Sequence, residues 1–262
     1  MIRSGLSLAA NLANLKSGKS AIEHVKGSET PAGALGVVRQ LISAQAAESG
    51  LSRREKATLA QALAIRLIPV LNTPLSAELV WCLGTLKMDP QQQEVAVMLE
   101  EATLQLQSAS AGTASAAYAV YISKALVGVA RLGLDWQDIS MNIGPGLLSC
   151  LSTTSQMQVQ SVCNTMWALG TLQVPWQYLA GDTATCTGVQ GATSSWDMLM
   201  DRLIDPEVSP LLTEQGLSNL LWGMARMGVR FIDLPQLSRE ALEAAIARLC
   251  LRMSNQGVGL TV

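Results

Sequence analysis

Few side chains in this 262-residue sequence have the types and spacing that catalysis requires. Its one histidine, His24, stands in a polar stretch, so no imidazole is available on a buried element for a Ser-His-Asp, Cys-His or zinc site. The segment 13–20 fits a loose phosphate-loop pattern but lacks a preceding strand, and we interpret it as a chance match. We therefore expect no enzymatic activity, no cofactor and no metal ion.

The cysteines indicate a reducing compartment. There are five in the chain, too few for a disulfide scaffold, and none form a C-x-x-C pair. Cys82, Cys163 and Cys250 stand beside apolar residues in stretches with helical spacing. We expect them to be core thiols rather than nucleophiles.

Composition narrows the fold and the partners. Hydrophobic residues make up 49% of the chain, charged residues 15% and aromatic residues 4%, with a formal net charge of −2. This balance argues against a disordered chain and against a strongly basic nucleic-acid binder, and the scarcity of aromatic residues favours helices over β-structure. No apolar run reaches the ~18 residues that a membrane span needs.

The most informative feature is an internal repeat. Four segments share one pattern around an anchor position, and the third residue after the anchor is always small. The anchors are Trp81, Val127, Trp167 and Trp222, and the small residues are Gly84, Ala130, Gly170 and Ala225. Small residues at this spacing let neighbouring helices approach closely, so we predict an all-α, right-handed α-solenoid of stacked helical hairpins. We expect the three anchor tryptophans to be buried between units.

The repeat divides the chain into a helical array over 31–262. Its units are about 51–88, 89–134, 135–174 and 175–229, followed by a truncated unit over 235–262. A polar insert over 181–193 lengthens the fourth unit, and the Gly-Pro-Gly sequence at 144–146 should break or kink a helix. The sequence thus resembles a piece of a longer array.

The first 22 residues contain basic and serine residues but no acid. This composition is typical of an organelle transit peptide, and it also fits an ordinary polar arm. We expect residues 1–30 to form a disordered or transit-peptide-like arm with little packing.

Two segments, 215–228 and 160–172, resemble the second helix of an octotricopeptide repeat. Residues 134–137 and 174–177 are similar to the proline/tryptophan signature that opens the next repeat of that family. The likeness is strong in units three and four and weak in units one and two, and the helical arrays of FAST-kinase-domain proteins look similar too. The resemblance implies an α-solenoid that binds single-stranded RNA in a chloroplast or mitochondrion. There it would support transcript maturation, stability or translation, with other organellar gene-expression proteins as further partners.

Polar residues recur at fixed positions of the repeat, as a modular reader of bases requires. The candidate RNA-binding residues are Arg131, Arg226, Lys124, Lys87, Asn164, Asn219 and Thr171. The alternative is that they are ordinary solvated positions of a protein-binding scaffold of the armadillo or HEAT kind, which the near-neutral charge also suits. A surface lined by cations and amides favours RNA, whereas an apolar or acidic one favours a peptide.

Overall fold

The computed structural model describes residues 18–45, 51–110, 115–151, 157–180, 195–205 and 209–258. Within these ranges the secondary structure is helical with no β-strand, which confirms the all-α prediction. The helices are α1 (Gly18–Gly27), α2 (Pro31–Gln45), α3 (Arg53–Leu67), α4 (Thr73–Thr85), α5 (Gln93–Ser110), α6 (Ala116–Arg131), α7 (Trp136–Ile139), α8 (Ile143–Leu151), α9 (Val159–Thr171), α10 (Gln177–Ala180), α11 (Ser195–Ile204), α12 (Glu214–Arg226) and α13 (Gln236–Val258).

Side-chain caps set several helix starts. Ser52 and Glu55 form a capping box before α3: the Glu55 amide donates to Ser52 Oγ at 3.3 Å, and the Ser52 amide donates to Glu55 Oε2 at 3.0 Å. Asn72 caps α4 and Thr213 caps α12, each with a side-chain oxygen that accepts from the helix's first turn.

The helices pack in chain order in two rows. One row contains α2, α4, α6, α9 and α12, and each of these helices is in contact with the next. The other row runs through α1, α3, α5 and α8, and α11 packs on α13. Leucines at the same repeat position, such as Leu83 and Leu169, have no exposed surface and lie between the rows.

Every neighbouring pair along the first row is in direct contact, and two of these contacts are unusually close. A Cβ atom on Gly84 of α4 would lie 2.0 Å from the backbone oxygen of Gly128 on α6. In the same way, a Cβ atom on Gly170 of α9 would lie 2.5 Å from the Cα atom of Gly223 on α12. Both pairs join the third residue after one anchor to the first residue after the next anchor. The small residues of the repeat therefore allow backbone-to-backbone packing at these two contacts.

The prediction of an N-terminal arm with little packing is wrong for residues 18–27. Residues 18–27 form α1, and its apolar side chains Ala21, Ile22 and Val25 are buried against α2 and α3. Their spacing of one and four residues gives α1 the buried stripe that the composition of the segment obscured. Residues 1–17, with most of the transit-peptide-like composition, lie outside the described residues.

Two predicted breaks also fall elsewhere. The Gly-Pro-Gly sequence at 144–146 lies in the first turn of α8, and the chain breaks before it, over 140–142. Proline is tolerated there because the first amides of a helix have no partner within the helix. Residues 254–258 match residues 213–217 in sequence, where α12 begins, and so predict the start of a new helix. They instead continue α13 without a break, so no new helix begins there. The insert at 181–193 lies outside the described residues.

Candidate nucleic-acid interface

The anchor tryptophans are less buried than the repeat predicts. Trp222 is 43% exposed, and Trp81 and Trp167 are only partly buried, whereas Val127 at the same position is buried. The prediction that all three indoles lie in the core is therefore wrong. Successive residues of an α-helix are rotated by about 100° around its axis. The small residues one and three positions after the anchor therefore contact the neighbouring helices, and the anchor side chain lies beside that contact rather than in it.

The anchors belong to one continuous surface. Positions seven and three residues before the anchor, the anchor itself and the position four residues after it share one side of an α-helix. On α4, α6, α9 and α12 these side chains are exposed or partly buried, with Val127 as the exception. We call this surface the tryptophan face. It comprises Pro74, Glu78, Trp81, Thr85, Val120, Lys124, Val127, Arg131, Gln160, Asn164, Trp167, Thr171, Gln215, Asn219, Trp222 and Arg226.

The tryptophan face differs in charge from the rest of the chain. It has one acid, Glu78, and three cations, Lys124, Arg131 and Arg226, whereas the whole chain has a formal net charge of −2. Four amide side chains lie on it as well, at two positions of α9 and the equivalent two of α12. The structure brings six of the seven predicted RNA-binding residues to this face.

Side chains at equivalent positions of α4 and α6 bind one another. Lys124 forms an ion pair with Glu78, and its Nζ atom lies 5.0 Å from the centre of the Trp81 ring. Arg131 donates a hydrogen bond of 3.0 Å to Thr85 Oγ1. The ammonium group of Lys124 is thus engaged within the protein, whereas Arg131 remains exposed.

The α9–α12 end of the face has a different character. The rings of Trp167 and Trp222 lie 6.5 Å apart, centre to centre, with 24° between their planes. Arg226 Cζ lies 5.8 Å from the centre of the Trp222 ring. The Thr171 hydroxyl donates to the Trp167 carbonyl at 2.8 Å, and Gln160 donates to Asn164 Oδ1 at 3.0 Å. This end therefore combines stacked indoles and an exposed cation with amides.

Lys87 lies off this face, and its position has a backbone explanation. Lys87, Gly133, Gln173 and Gly228 stand six residues after successive anchors, and their φ angles are 50°, 80°, 55° and 79°. A left-handed residue at this point ends a helix, because the next amide turns back to bond an earlier carbonyl. Lys87 instead lines a shallow cleft of about 560 Å³ that contains none of the tryptophan-face residues.

The cysteines and the histidine of the described residues show no arrangement typical of a reactive site. Burial raises the pKa of the Cys82 and Cys163 thiols to about 12, so both are neutral near pH 7. His24 is exposed, with Nδ1 2.7 Å from the Ser20 carbonyl oxygen. Among the described residues, no three His, Cys, Asp or Glu side chains are grouped as a metal site would require. Nor does any helix described here have the length and apolar character to cross a membrane.

Comparison with protein-family models, curated proteins and solved structures finds no match to this chain.

Proposed function

We propose that this protein is a sequence-selective binder of single-stranded RNA that acts through the tryptophan face. In a chloroplast or mitochondrion it would support transcript maturation, stability or translation, as its resemblance to octotricopeptide repeats implies. The observation that carries the proposal is the composition of the face: along four packed helices, indoles recur on three, and cations and amides on two each, at equivalent positions and with a single acid among them.

A solenoid architecture is part of the proposal. The second helices of the repeat units pack in chain order, and the contacts α4–α6 and α9–α12 use glycines at the same two repeat positions. Units that pack the same way on their neighbours build an extended array. Such an array would present one set of polar side chains per unit to one nucleotide, as other helical-repeat RNA binders do.

The polar groups of the face suit the two parts of a nucleotide. The amides of Asn164 and Asn219 each offer a donor and an acceptor, which a base edge requires for discrimination. The guanidinium groups of Arg131 and Arg226 are exposed and suit phosphate oxygens. Selectivity would thus come from the amides and affinity from the arginines.

A salt titration tests this assignment. Replacing Arg131 and Arg226 together by alanine should weaken binding to a mixed-sequence single-stranded RNA. It should also flatten the salt dependence by a log–log slope of about 0.7 for each lost phosphate contact. Arg53 and Arg54, both exposed on α3 and off the tryptophan face, supply the matched control pair.

The expected result is a reduced slope for the Arg131 and Arg226 variant only. Equal slopes in wild type and both double variants would remove these arginines from the site. A wild-type protein that binds no RNA at low salt would instead favour the protein-binding scaffold. The net charge of −2 and the internal Lys124–Glu78 pair are the observations on its side.

A further inference from the structure

We propose that Trp222 is a stacking platform for one unpaired nucleobase, and that Arg226 binds the phosphate of that nucleotide. This inference rests on the proposed function, because it names the place on the tryptophan face where single-stranded RNA stacks. The juxtaposition that carries it is an exposed indole, backed by a second indole, with a cation over it that pairs with no acid among the described residues.

The accessibility of Trp222 separates it from the other three anchors. Its side chain is 43% exposed, whereas Trp81 is partly buried against the core and Val127 offers no ring. Trp167 is partly buried on the core side of the face. Among the described anchor positions, α12 therefore carries the indole with the greatest free surface.

Trp167 fixes the orientation of the platform. Its ring lies 6.5 Å from that of Trp222, at 24° between planes, and both residues belong to helices that meet through the Gly170–Gly223 contact. Backbone packing this close leaves little freedom for the two helices to slide. A nucleobase would then meet an indole whose plane is already set, which reduces the conformational entropy lost on binding.

Arg226 adds an anion-binding group over the Trp222 ring. Its guanidinium lies 5.8 Å from the Trp222 ring centre, and it makes no ion pair with a described acidic residue. Lys124, at the other end of the face, is by contrast held by Glu78. A phosphate would thus find at Arg226 a positive charge that the protein has not already neutralised.

The ligand that fits both groups is an unpaired nucleotide. Every base has an aromatic face, so stacking on Trp222 would bind any base. In a duplex the base faces are already covered by neighbouring base pairs. The site should therefore prefer single-stranded RNA and supply affinity rather than base selectivity.

The test compares two Trp222 variants with an exposed aromatic elsewhere. Trp222→Ala should weaken binding to a short oligoadenylate about 5- to 150-fold, the equivalent of about 1–3 kcal/mol, whereas Trp222→Phe should keep most of the affinity. Phe231→Ala is the matched control, because Phe231 is 41% exposed but lies beyond the end of α12. It should leave the affinity unchanged.

Two further measurements separate stacking from other losses. Oligoadenylate should quench the tryptophan fluorescence of wild type more than that of Trp222→Phe, and an abasic ribose-phosphate chain of equal length should quench neither. Trp222→Phe keeps an aromatic ring at this position but removes the indole, so the quenching it loses relative to wild type is the part that comes from Trp222, and this comparison holds even if the alanine variant does not fold.

The outcomes distinguish this inference from the proposed function. If wild type binds oligoadenylate but Trp222→Ala and Phe231→Ala bind it equally, the stacking site is overturned and RNA binding stands. If wild type binds no single-stranded RNA, the proposed function fails and the stacking site fails with it. Preferential binding of a peptide under those conditions would move Trp222 to a protein interface.

Discussion

The residues that follow α4, α6, α9 and α12 at one repeat position adopt a left-handed backbone conformation, and only two of the four are glycine. Lys87 and Gln173 have φ angles of 50° and 55°, where Gly133 and Gly228 have 80° and 79°. This conformation costs a residue with a Cβ atom about 1–2 kcal/mol. This repeat position is thus defined by its left-handed backbone at the end of a helix and not by the chemistry of its side chain.

Replacing Lys87 or Gln173 by glycine should therefore stabilise the protein. We expect the free energy of unfolding to rise by about 0.5–1 kcal/mol in each variant, because relief of the strained φ outweighs the greater freedom of glycine in the unfolded chain. Urea unfolding followed by circular dichroism measures the change. Gly133→Ala is the reverse substitution and should lower the same quantity by about 1 kcal/mol; a rise would contradict the backbone explanation.

The exposure of the tryptophans could have been read from their own helices. Positions three residues before and four residues after Trp222 hold Asn219 and Arg226, so the ring shares its side of the helix with polar groups. The apolar residues next to it in the sequence point elsewhere, because neighbouring residues do not face the same way on a helix. The apolar residues on either side of each tryptophan in the sequence favour burial of its ring. The polar residues three positions before and four positions after it, which share its side of the helix, favour exposure.

The close contacts of α4 with α6 and of α9 with α12 depend on glycines, which have no side-chain carbon. At Gly84 and Gly128, and again at Gly170 and Gly223, the backbone of one helix occupies the place where a Cβ atom would lie. Backbone atoms cannot move aside as a flexible side chain can. These glycines should therefore tolerate no larger residue, although glycine disfavours helix formation by up to about 1 kcal/mol relative to alanine.

Alanine substitution distinguishes these contacts from ordinary helical glycines. Gly84→Ala should lower the free energy of unfolding by about 3 kcal/mol, because two helices must separate to admit the methyl group. Gly36→Ala is the matched control: Gly36 lies within α2, and nothing stands within 4 Å of its Cβ position. It should raise stability by about 0.5–1 kcal/mol. Equal effects of the two substitutions in thermal unfolding would contradict the close contact.

Elements whose signal is local were predicted, and those that depend on packing were not. The Ser-x-x-Glu pattern at 52–55, followed by apolar residues at helical spacing, predicts a helix start, and α3 begins there at Arg53. By contrast, α1 was missed because its basic, serine-containing sequence hides a short buried stripe. The sequence does not predict an uninterrupted α13, because residues 254–258 match the start of α12 and so indicate a new helix. In the structure, the helix that begins at Gln236 continues through them.

Among the described helices, most contacts join a helix to its own repeat unit or to a unit next to it in the chain. In the row from α2 to α12, each helix packs on the helices before and after it in that row. The helices of the other row, from α1 to α8, pack on one another in the same order. A repeat sequence predicts this order, since each unit must cover the apolar side of the next. The sequence predicts an array that begins at residue 31, but not that α1 packs on α2 and α3 ahead of it.

Packing of this kind predicts that damage stays local. In an array, stability is approximately a sum of unit and interface contributions, so a broken interface should release its own neighbours first. In Gly223→Ala, amide hydrogen exchange should accelerate in α9 and α12 while α1–α4 keep their protection. In Gly84→Ala, the faster exchange should begin in α4 and α6 instead.

The two variants serve as controls for each other, because the same substitution disrupts equivalent contacts at opposite ends of the row. Hydrogen exchange with mass spectrometry resolves the helices separately. If both variants accelerated exchange evenly from α1 to α12, the molecule would unfold as one cooperative core, and the proposed solenoid would be wrong. Distinct patterns, each centred on its own glycine contact, are expected because few contacts connect units that are distant in the chain.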